Sequence, residues 1–477
     1  MVGLLILFIV LGFLCFFFLR GFFFKKEKTS KVEPTSTNVD FDGAVKKFQQ
    51  LIRIPTISRS KSSDEDEDVF KGFYKTLPSL FPLVYEKCDY SRIGRRGLLF
   101  HWKGNDSSKA SVFMAHYDVV PVDFSEWSKP AFDGLIEDDL LWGRGTLDTK
   151  GTFTAILETA NQLIGRGFIP ENDCYLAFSG EEETHGPSAK EIVKHLEEKG
   201  VSINFVLDEG GAIIEPLEPI TQQRLGLIGI GEKGQMDINL FIKGDGGHAS
   251  HPPTKSLTGK LAKAIVNIEK KPMKIHLNKP FLEFLQKIGR NSGLLIRTIV
   301  ANIKWLKPLI AVITKKSGGE INALLRTTFA VTKLKGSDSY NVMPSKVSAG
   351  MNVRYLKENT PKEIINHIKR VSGENDLKVE VVYDTCPSNY SNTNCHQYEI
   401  LKDCIQQTWS DALIVPYLMI ACSDARHYSN VSDKVYRFSA MEMIKEERAL
   451  IHGNDERIRL KEWRKTLDFY YRLMSRM

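Results

Sequence analysis

The chain has 477 residues, of which 42% are hydrophobic and 26% charged, and a formal net charge of +7. That length exceeds what one ordinary core fills, so two domains plus an appendage are expected. The charge is modest, and no basic run is interleaved with aromatics, which excludes a nucleic-acid partner. Seven scattered cysteines give neither a disulfide framework nor a paired-cysteine zinc site.

The first element is MVGLLILFIVLGFLCFFFLRGFFFKK. Met1 to Leu19 carry no charge, and about 20 apolar residues suffice to cross a bilayer as a helix. Bulky phenylalanines stand where a signal peptidase needs small residues, so residues 1–26 are expected to be an uncleaved transmembrane anchor. Arg20, Lys25, Lys26 and Lys28 follow it, which would keep that side cytoplasmic. Sequons at Asn105, Asn389 and Asn430 suit a lumenal body instead, although about that many arise by chance in such a length. Composition leaves the topology open. Residues 27–40, rich in Lys, Thr, Ser, Pro and Glu, read as a linker.

FDGAVKKFQQLIRI opens a domain expected over 41–229, and the acidic KSSDEDEDVF reads as a solvated loop. From residue 95 to 208, short apolar runs (ASVFMA, NDCYLAFSG, INFVLDEGG) alternate with helical periods that stop at glycine (FTAILETANQLIGRG, PSAKEIVKHLEEKG). This predicts an α/β domain with a mostly parallel sheet and helices on both faces. Near residue 230 the texture changes. GEKGQMDINLFIKGDGGHASHPP alternates like an exposed strand, LTGKLAKAIVNIEK is helical, and KVSAGMNVRYL, TPKEIINHIKRVSG and DLKVEVVYD give strand, helix, strand. A small α+β insertion over 230–388 is expected, with the first domain resuming over 389–477. Inside it, NSGLLIRTIVANIKWLKPLIAVITKK is strongly apolar but broken by Arg297, Lys304 and Lys307. Those charges argue against a second membrane span. Core helices of the insertion are one reading, and a lipid-facing or acyl-chain-binding cap is the other.

In an open α/β sheet, ligands bind beyond the carboxyl ends of the strands. Those ends here carry His116 and Asp118, then Glu181, Glu182 and Glu183, then Asp208 and Glu209. GRGTLDTKG puts Asp148 just ahead of a helix, and ALIHGNDERI supplies His452. Carboxylates gathered this closely repel unless a cation lies between them. Imidazole and carboxylate without thiolate suit zinc. In VFMAHYDVV, residues i and i+2 of a strand point the same way, so Asp118 can accept from the second ring nitrogen of His116. Taken singly, His452 is a turn histidine, Asp148 a helix N-cap and the glutamates a solvated patch. Their joint occurrence is what points to a metal centre.

MAHYDVVPV, GRGTLDTKG, SGEEETHG, VLDEGG, GHASHPP, YNVMPSK and IHGNDERI, in that order, resemble the dinuclear zinc peptidases and amidohydrolases of the aminoacylase/carboxypeptidase S family. Within it the resemblance is to the carboxypeptidase S and N-fatty-acyl-amino-acid synthase/hydrolase branch, over roughly residues 40–477. It implies a zinc-exopeptidase-like catalytic domain, the insertion as its lid, and two zinc ions or another divalent pair. Asp148 would bridge the metals, with His116 and Asp208 completing one site and Glu183 and His452 the other. Glu182 would be the general base. A register with Glu181 as base and Glu182 as ligand stays open, although Gly186, three residues after the ligand, favours the first. Asp118 is carried over as the catalytic residue beside His116. In the lid, His248 corresponds to the residue that polarises the scissile carbonyl. In dimeric relatives it reaches across from the partner subunit, so a homodimer is an expectation. Asn341 and Arg354 occupy substrate-binding positions, a guanidinium being suited to a free α-carboxylate. One departure is Ile420-Ala421-Cys422, where a glycine-rich turn is usual.

The implied chemistry is amide hydrolysis. Two ions lower the pKa of a shared water toward about 7. Glu182 takes its proton and passes it to the leaving amine, while His248 and a metal stabilise the oxyanion. N-acyl or N-fatty-acyl amino acids are the expected substrates, with the reverse condensation as an option. Carboxypeptidase action on small peptides is the alternative within the class. A catalytically idle, membrane-tethered binding protein is the alternative outside it. The resemblance points to a secretory-lumen, vacuolar or extracellular body, against the charges around the anchor.

Overall fold

The structure is a computed structural model in which residues 2–26, 37–218 and 220–477 are described. Residues 27–36, the greater part of the expected linker, lie outside the described residues. The chain forms two compact units. One comprises Lys26–Gly231, Tyr390–Tyr417 and Ser423–Met477, the other Met1–Lys25, Glu232–Asn389 and Leu418–Cys422.

The first unit is built on an eight-stranded sheet. Its order is Asp89–Ile93, Gly97–Trp102, Asn172–Ser179, Asp106–His116, Ile203–Ile214, Val435–Glu442, Leu225–Glu232, Leu413–Met419. The centre is parallel: Asp106–His116 pairs with both Asn172–Ser179 and Ile203–Ile214, and Ile203–Ile214 pairs with Val435–Glu442. The flanks are antiparallel. The sheet is therefore mixed, which corrects the expectation of a mostly parallel one. The βα alternation visible in the sequence belongs only to the central strands. Asp89–Ile93 and Gly97–Trp102 are joined by a tight turn with Gly94 at φ +58°. A turn that short permits only antiparallel pairing.

Helices cover both faces because the central strand alternates with a period of two. Phe113 and Ala115 are buried with Phe153 and Leu157 of the helix Lys150–Gly165 and Leu467 of the helix Leu460–Met474. Val112 and Met114 are buried with Ile192 and Leu196 of the helix Ser188–Glu198. Each large apolar side chain so buried contributes about 1.5–3 kcal/mol.

The second unit carries a four-stranded sheet ordered Thr328–Lys335, Lys346–Tyr355, Gly234–Lys243, Lys378–Thr385, antiparallel throughout. Ile238, Leu240 and Val353 of that sheet pack against Leu261, Ile268, Ile364 and Ile368 of the helices Leu257–Lys270 and Pro361–Ser372. The apolar stretch after Asn291 forms the helices Leu294–Ala301 and Lys307–Ser317. Val2–Phe23 is a helix, and its Phe17 carbonyl accepts from Asn302 Nδ2 at 2.9 Å. Among the described residues, no helix is long and apolar enough to cross a membrane, so the expected transmembrane helix finds no support in the fold.

Candidate metal centre

Strand ends of the first unit set the site. His116 closes the strand Asp106–His116 in register with Ser179, whose own strand leads straight into Glu181–Glu183. His116 Nε2 lies 2.8 Å from Asp148 Oδ1 and 3.5 Å from Glu209 Oε1. On the other side of Asp148, Oδ2 lies 3.0 Å from His452 Nε2, which is also 3.0 Å from Glu183 Oε2. One carboxylate thus faces two imidazoles, one through each oxygen. His116, Asp148 and Glu183 are close enough to share one cation, as are His116, Glu182 and Glu209. His452 sits at φ +60°, a left-handed conformation unusual for a residue other than glycine.

Of the adjacent acids Asp208 and Glu209, it is Glu209 whose carboxylate lies beside His116. In the pairing of Ile203–Ile214 with Val435–Glu442, Asp208 lies opposite Arg437 and Gly211 opposite Phe438, leaving Glu209 and Gly210 as extra residues. Gly210, at φ +141°, accommodates the bulge. Bulges beside active sites re-aim side chains, and this one turns Glu209 toward His116. Asp208 faces main chain instead, its Oδ2 accepting the Ala425 N–H at 2.8 Å.

The supporting contacts differ from a simple histidine–carboxylate clamp. His116 Nδ1 is 3.0 Å from the main-chain oxygen of Asp118 and 3.4 Å from its carboxylate. That carboxylate, fully buried, accepts the N–H of Glu182 at Oδ1, and the N–H of Glu183 and the Ser58 hydroxyl at Oδ2. Asp118 therefore positions the two glutamates more than the histidine. Thr149 Oγ1 accepts the His116 N–H at 3.1 Å and donates to the His116 carbonyl at 2.9 Å, tying the Asp148 loop to the strand end. Buried Glu456 accepts the main-chain N–H groups of Gly145, Leu147 and Asp148 at Oε1 and pairs with Arg144 through Oε2. Glu181 points elsewhere. Its carboxylate accepts from Ser188 Oγ and lies 3.6 Å from Arg95 Nη1. Gly186 must lack a side chain, since a Cβ there would stand 2.3 Å from the Glu181 Cβ.

The electrostatics describe an excess of carboxylate. Burial, and then Asp424 beside it, pushes the Glu182 carboxyl well above the usual carboxylate range. Burial and Asp148 raise Glu183 and Glu209. Burial opposes charge on His116, but Glu209, Asp118 and Asp148 hold its pKa well above the ordinary value. Bonds from Asp148 and Glu183 push His452 up to about 10. Glu183 Oε1 is buried without a hydrogen-bond partner among the described residues. Two imidazoles, several crowded carboxylates and an orphaned carboxylate oxygen fit divalent cations, which would supply the missing charge.

Residues 112–476 match peptidase family M20/M25/M40. The chain belongs to this family. It is similar to the probable carboxypeptidase S-like 2 of Dictyostelium discoideum, 34% identical over 429 residues that cover 88% of this chain and 82% of that one. It is 29% identical over 431 residues to the N-fatty-acyl-amino acid synthase/hydrolase of Homo sapiens, covering 89% and 86%. Among solved structures, the M20 family metallo-carboxypeptidase of Sulfolobus solfataricus superposes with a TM-score of 0.67 at 17% identity, covering 91% of this chain and 98% of that one. That likeness shows the fold. As an M20 peptidase-family member, this chain is a hydrolase acting on peptide or amide bonds.

The remaining site residues expected of an M20 chain belong to the second unit. His248 pairs with Val342 in a two-stranded ribbon, which brings it beside Asn341, whose carbonyl accepts the Ala249 N–H at 3.0 Å. His248 Nδ1 is 2.7 Å from Ser250 Oγ, and the residue is exposed. Arg354 lies on the central strand Lys346–Tyr355, its Nη1 3.0 Å from Cys422 Sγ. Cys422, in the turn that departs from the family pattern, also donates to the Lys233 carbonyl at 3.4 Å. Ser58, Thr149 and Glu456 carry no signal in the sequence, and Glu209 stands there only as one of the strand-end carboxylates, without a role. Only Glu209 had a local cue, the Gly210-Gly211 pair that marks a bulge in a strand.

Proposed function

We propose that this M20 hydrolase cleaves the amide bond of N-acyl amino acids, N-fatty-acyl ones among them, and that the reverse condensation is open to it. The observation that carries the reading is Asp148 held between His116 and His452, with the buried acid Glu182 beside them. His116, Glu209, Asp148, Glu183 and His452 would hold two divalent ions, and the ligand types favour zinc. Bound, such ions lower the pKa of a water toward about 7 and polarise a carbonyl. Glu182 does the proton work: it takes the proton of the attacking water and passes it to the leaving amine nitrogen, and burial, which raises its pKa, favours the protonated form between the two transfers. Asp118 fixes its main chain.

His248 is proposed to polarise the scissile carbonyl, with Asn341 and Arg354 holding the substrate and the Arg354 fork taking a free α-carboxylate. A homodimer is part of the same proposal. The 29% identity to the human N-fatty-acyl-amino acid synthase/hydrolase supports the acyl reading. The 34% identity to the probable carboxypeptidase S-like 2 supports a second one, carboxypeptidase action on short peptides. The uncharged run from Met1 to Leu19 supports attachment to a membrane through the N-terminal segment, with the body in a secretory lumen, a vacuole or outside the cell.

The deciding experiment compares release of free amino acid from an N-oleoyl amino acid and from an N-blocked dipeptide. Faster cleavage of the first is expected. Glu182→Gln should still bind divalent metal yet lose about 10²- to 10⁴-fold in turnover. A metal-loaded wild-type chain inert on both substrates would refute both the N-acyl and the carboxypeptidase reading.

A further inference from the structure

Away from the metal centre, the second unit concentrates positive charge. Residues 279–318 hold eight Lys and Arg and one Glu, a net +7, which equals the excess of the whole chain. The helix Lys307–Ser317 lies inside this stretch. Its inner face packs Ile310 and Ala311 against the buried cluster of Ile275, Phe281 and Leu325. Its outer face is as apolar and yet bare: Leu309, Val312 and Ile313 are each more than half exposed. Their i, i+3, i+4 spacing makes them one stripe. Leu294, Leu295 and Trp305, in the helix and turn just before Lys307–Ser317 in the chain, are exposed as well. Trp305 meets Phe13 and Phe16 of the Val2–Phe23 helix at 6.0 and 6.5 Å between ring centres. An exposed apolar stripe such as that of Leu309, Val312 and Ile313 marks an interaction site.

Beside the stripe lies a cleft of about 990 Å³ lined by Lys271, Lys274, Lys307, Lys315, Lys316 and Arg326, and by no carboxylate. Arg326 is 3% exposed. Its Nη1 donates to the Met273 carbonyl, and its Nη2 donates to the Ala311 carbonyl and Thr314 Oγ1, while Nε has no acceptor among the described residues. Burial lowers the Arg326 pKa, and no acidic group counters it. A buried guanidinium among five lysines calls for an anion from outside the chain.

A small soluble anion would leave Leu309, Val312 and Ile313 in water, and an acyl chain alone would leave six cations unpaired. One partner satisfies both. We propose that this face of the second unit docks on an anionic lipid bilayer, with phosphate headgroups entering the Lys271–Lys316 cleft and the apolar stripe entering the acyl boundary. Docking here is independent of the hydrolase reading, since it uses none of the residues of the metal centre.

The test uses the full chain with vesicles of phosphatidylcholine alone or mixed with phosphatidylserine, each containing acyl-brominated lipid. Val312→Trp places an emitter on the stripe, read as the difference from the parent chain. Strong quenching with phosphatidylserine and weak quenching without it is expected. Adding Lys307→Glu, Lys315→Glu and Lys316→Glu, with far-ultraviolet circular dichroism unchanged, should weaken docking about a hundredfold. Absence of quenching in both vesicles would overturn the proposal. So would equal quenching in both that the three charge reversals leave untouched. Inorganic phosphate protecting the parent chain against thermal unfolding as well as the anionic vesicles do would reassign the cleft to a free anion, and also overturn it.

Discussion

Asp118→Asn tests how the centre is held together. The Asp118 carboxylate takes three donors, the N–H groups of Glu182 and Glu183 at 3.2 Å each and the Ser58 hydroxyl at 2.7 Å. Two of these share Oδ2, so the single amide oxygen of asparagine is best spent there. Its NH₂ then faces the Glu182 N–H, donor against donor, in a fully buried position. An unsatisfied buried donor costs about 1–3 kcal/mol. Because the displaced amide belongs to the proposed base, about 1.4–2.7 kcal/mol of that should emerge in the barrier, a 10- to 100-fold loss of kcat. KM should move little. Stopped assays of amino-acid release, with calorimetric titration of Zn²⁺ in parallel, read both effects. An Asp118→Asn chain with full kcat would refute the idea that this carboxylate aims Glu182.

Four further outcomes are expected. Glu209→Gln should weaken Zn²⁺ binding by about 10- to 100-fold, whereas Asp208→Asn should lower Tm and leave metal affinity near normal; calorimetric titration and thermal melts separate the two. Chelating the bound metal should lower Tm, since a ligand held at a hundred times its Kd stabilises by about 2.7 kcal/mol; a Tm indifferent to chelator would mean the cluster holds no cation. Lys233, buried and next to Arg354, has its ammonium pKa pushed down from 10.5 to about 7. From pH 7 to 10.5 the unfolded chain therefore binds the extra proton, so this residue's contribution to stability grows as pH rises and is lost as pH falls toward 7. Lys233→Met should accordingly be most stabilised relative to the parent near pH 7, with the gap closing by pH 10 in paired melts.

Much of the centre was legible because strands deliver side chains predictably. His116, Asp148, Glu183 and His452 are the groups that meet, although more than three hundred residues separate the first from the last. What was not legible depended on tertiary pairing. In Asp208-Glu209 both residues are acidic, and composition could not foresee the bulge opposite Arg437 and Phe438 that brings Glu209 beside His116. For His116-Tyr117-Asp118, the period of two placed both side chains correctly on one face. It could not show that a second segment, Glu182–Glu183, would bring two competing N–H groups to the Asp118 carboxylate. The parallel centre of the sheet followed from βα alternation, while the antiparallel flank at Asp89–Trp102 lacked the helix that such a pattern needs. Glu456 gave no cue at all, being one acid in a turn of charged residues.

Glu456 has a consequence for how the enzyme comes into being. The loop that presents Asp148 hangs from a carboxylate made 308 residues later, four positions beyond His452. A nascent chain emerging from the ribosome therefore has every early ligand but no scaffold for the shared one. The Asp148 loop is set only when the segment carrying His452 and Glu456 packs against it.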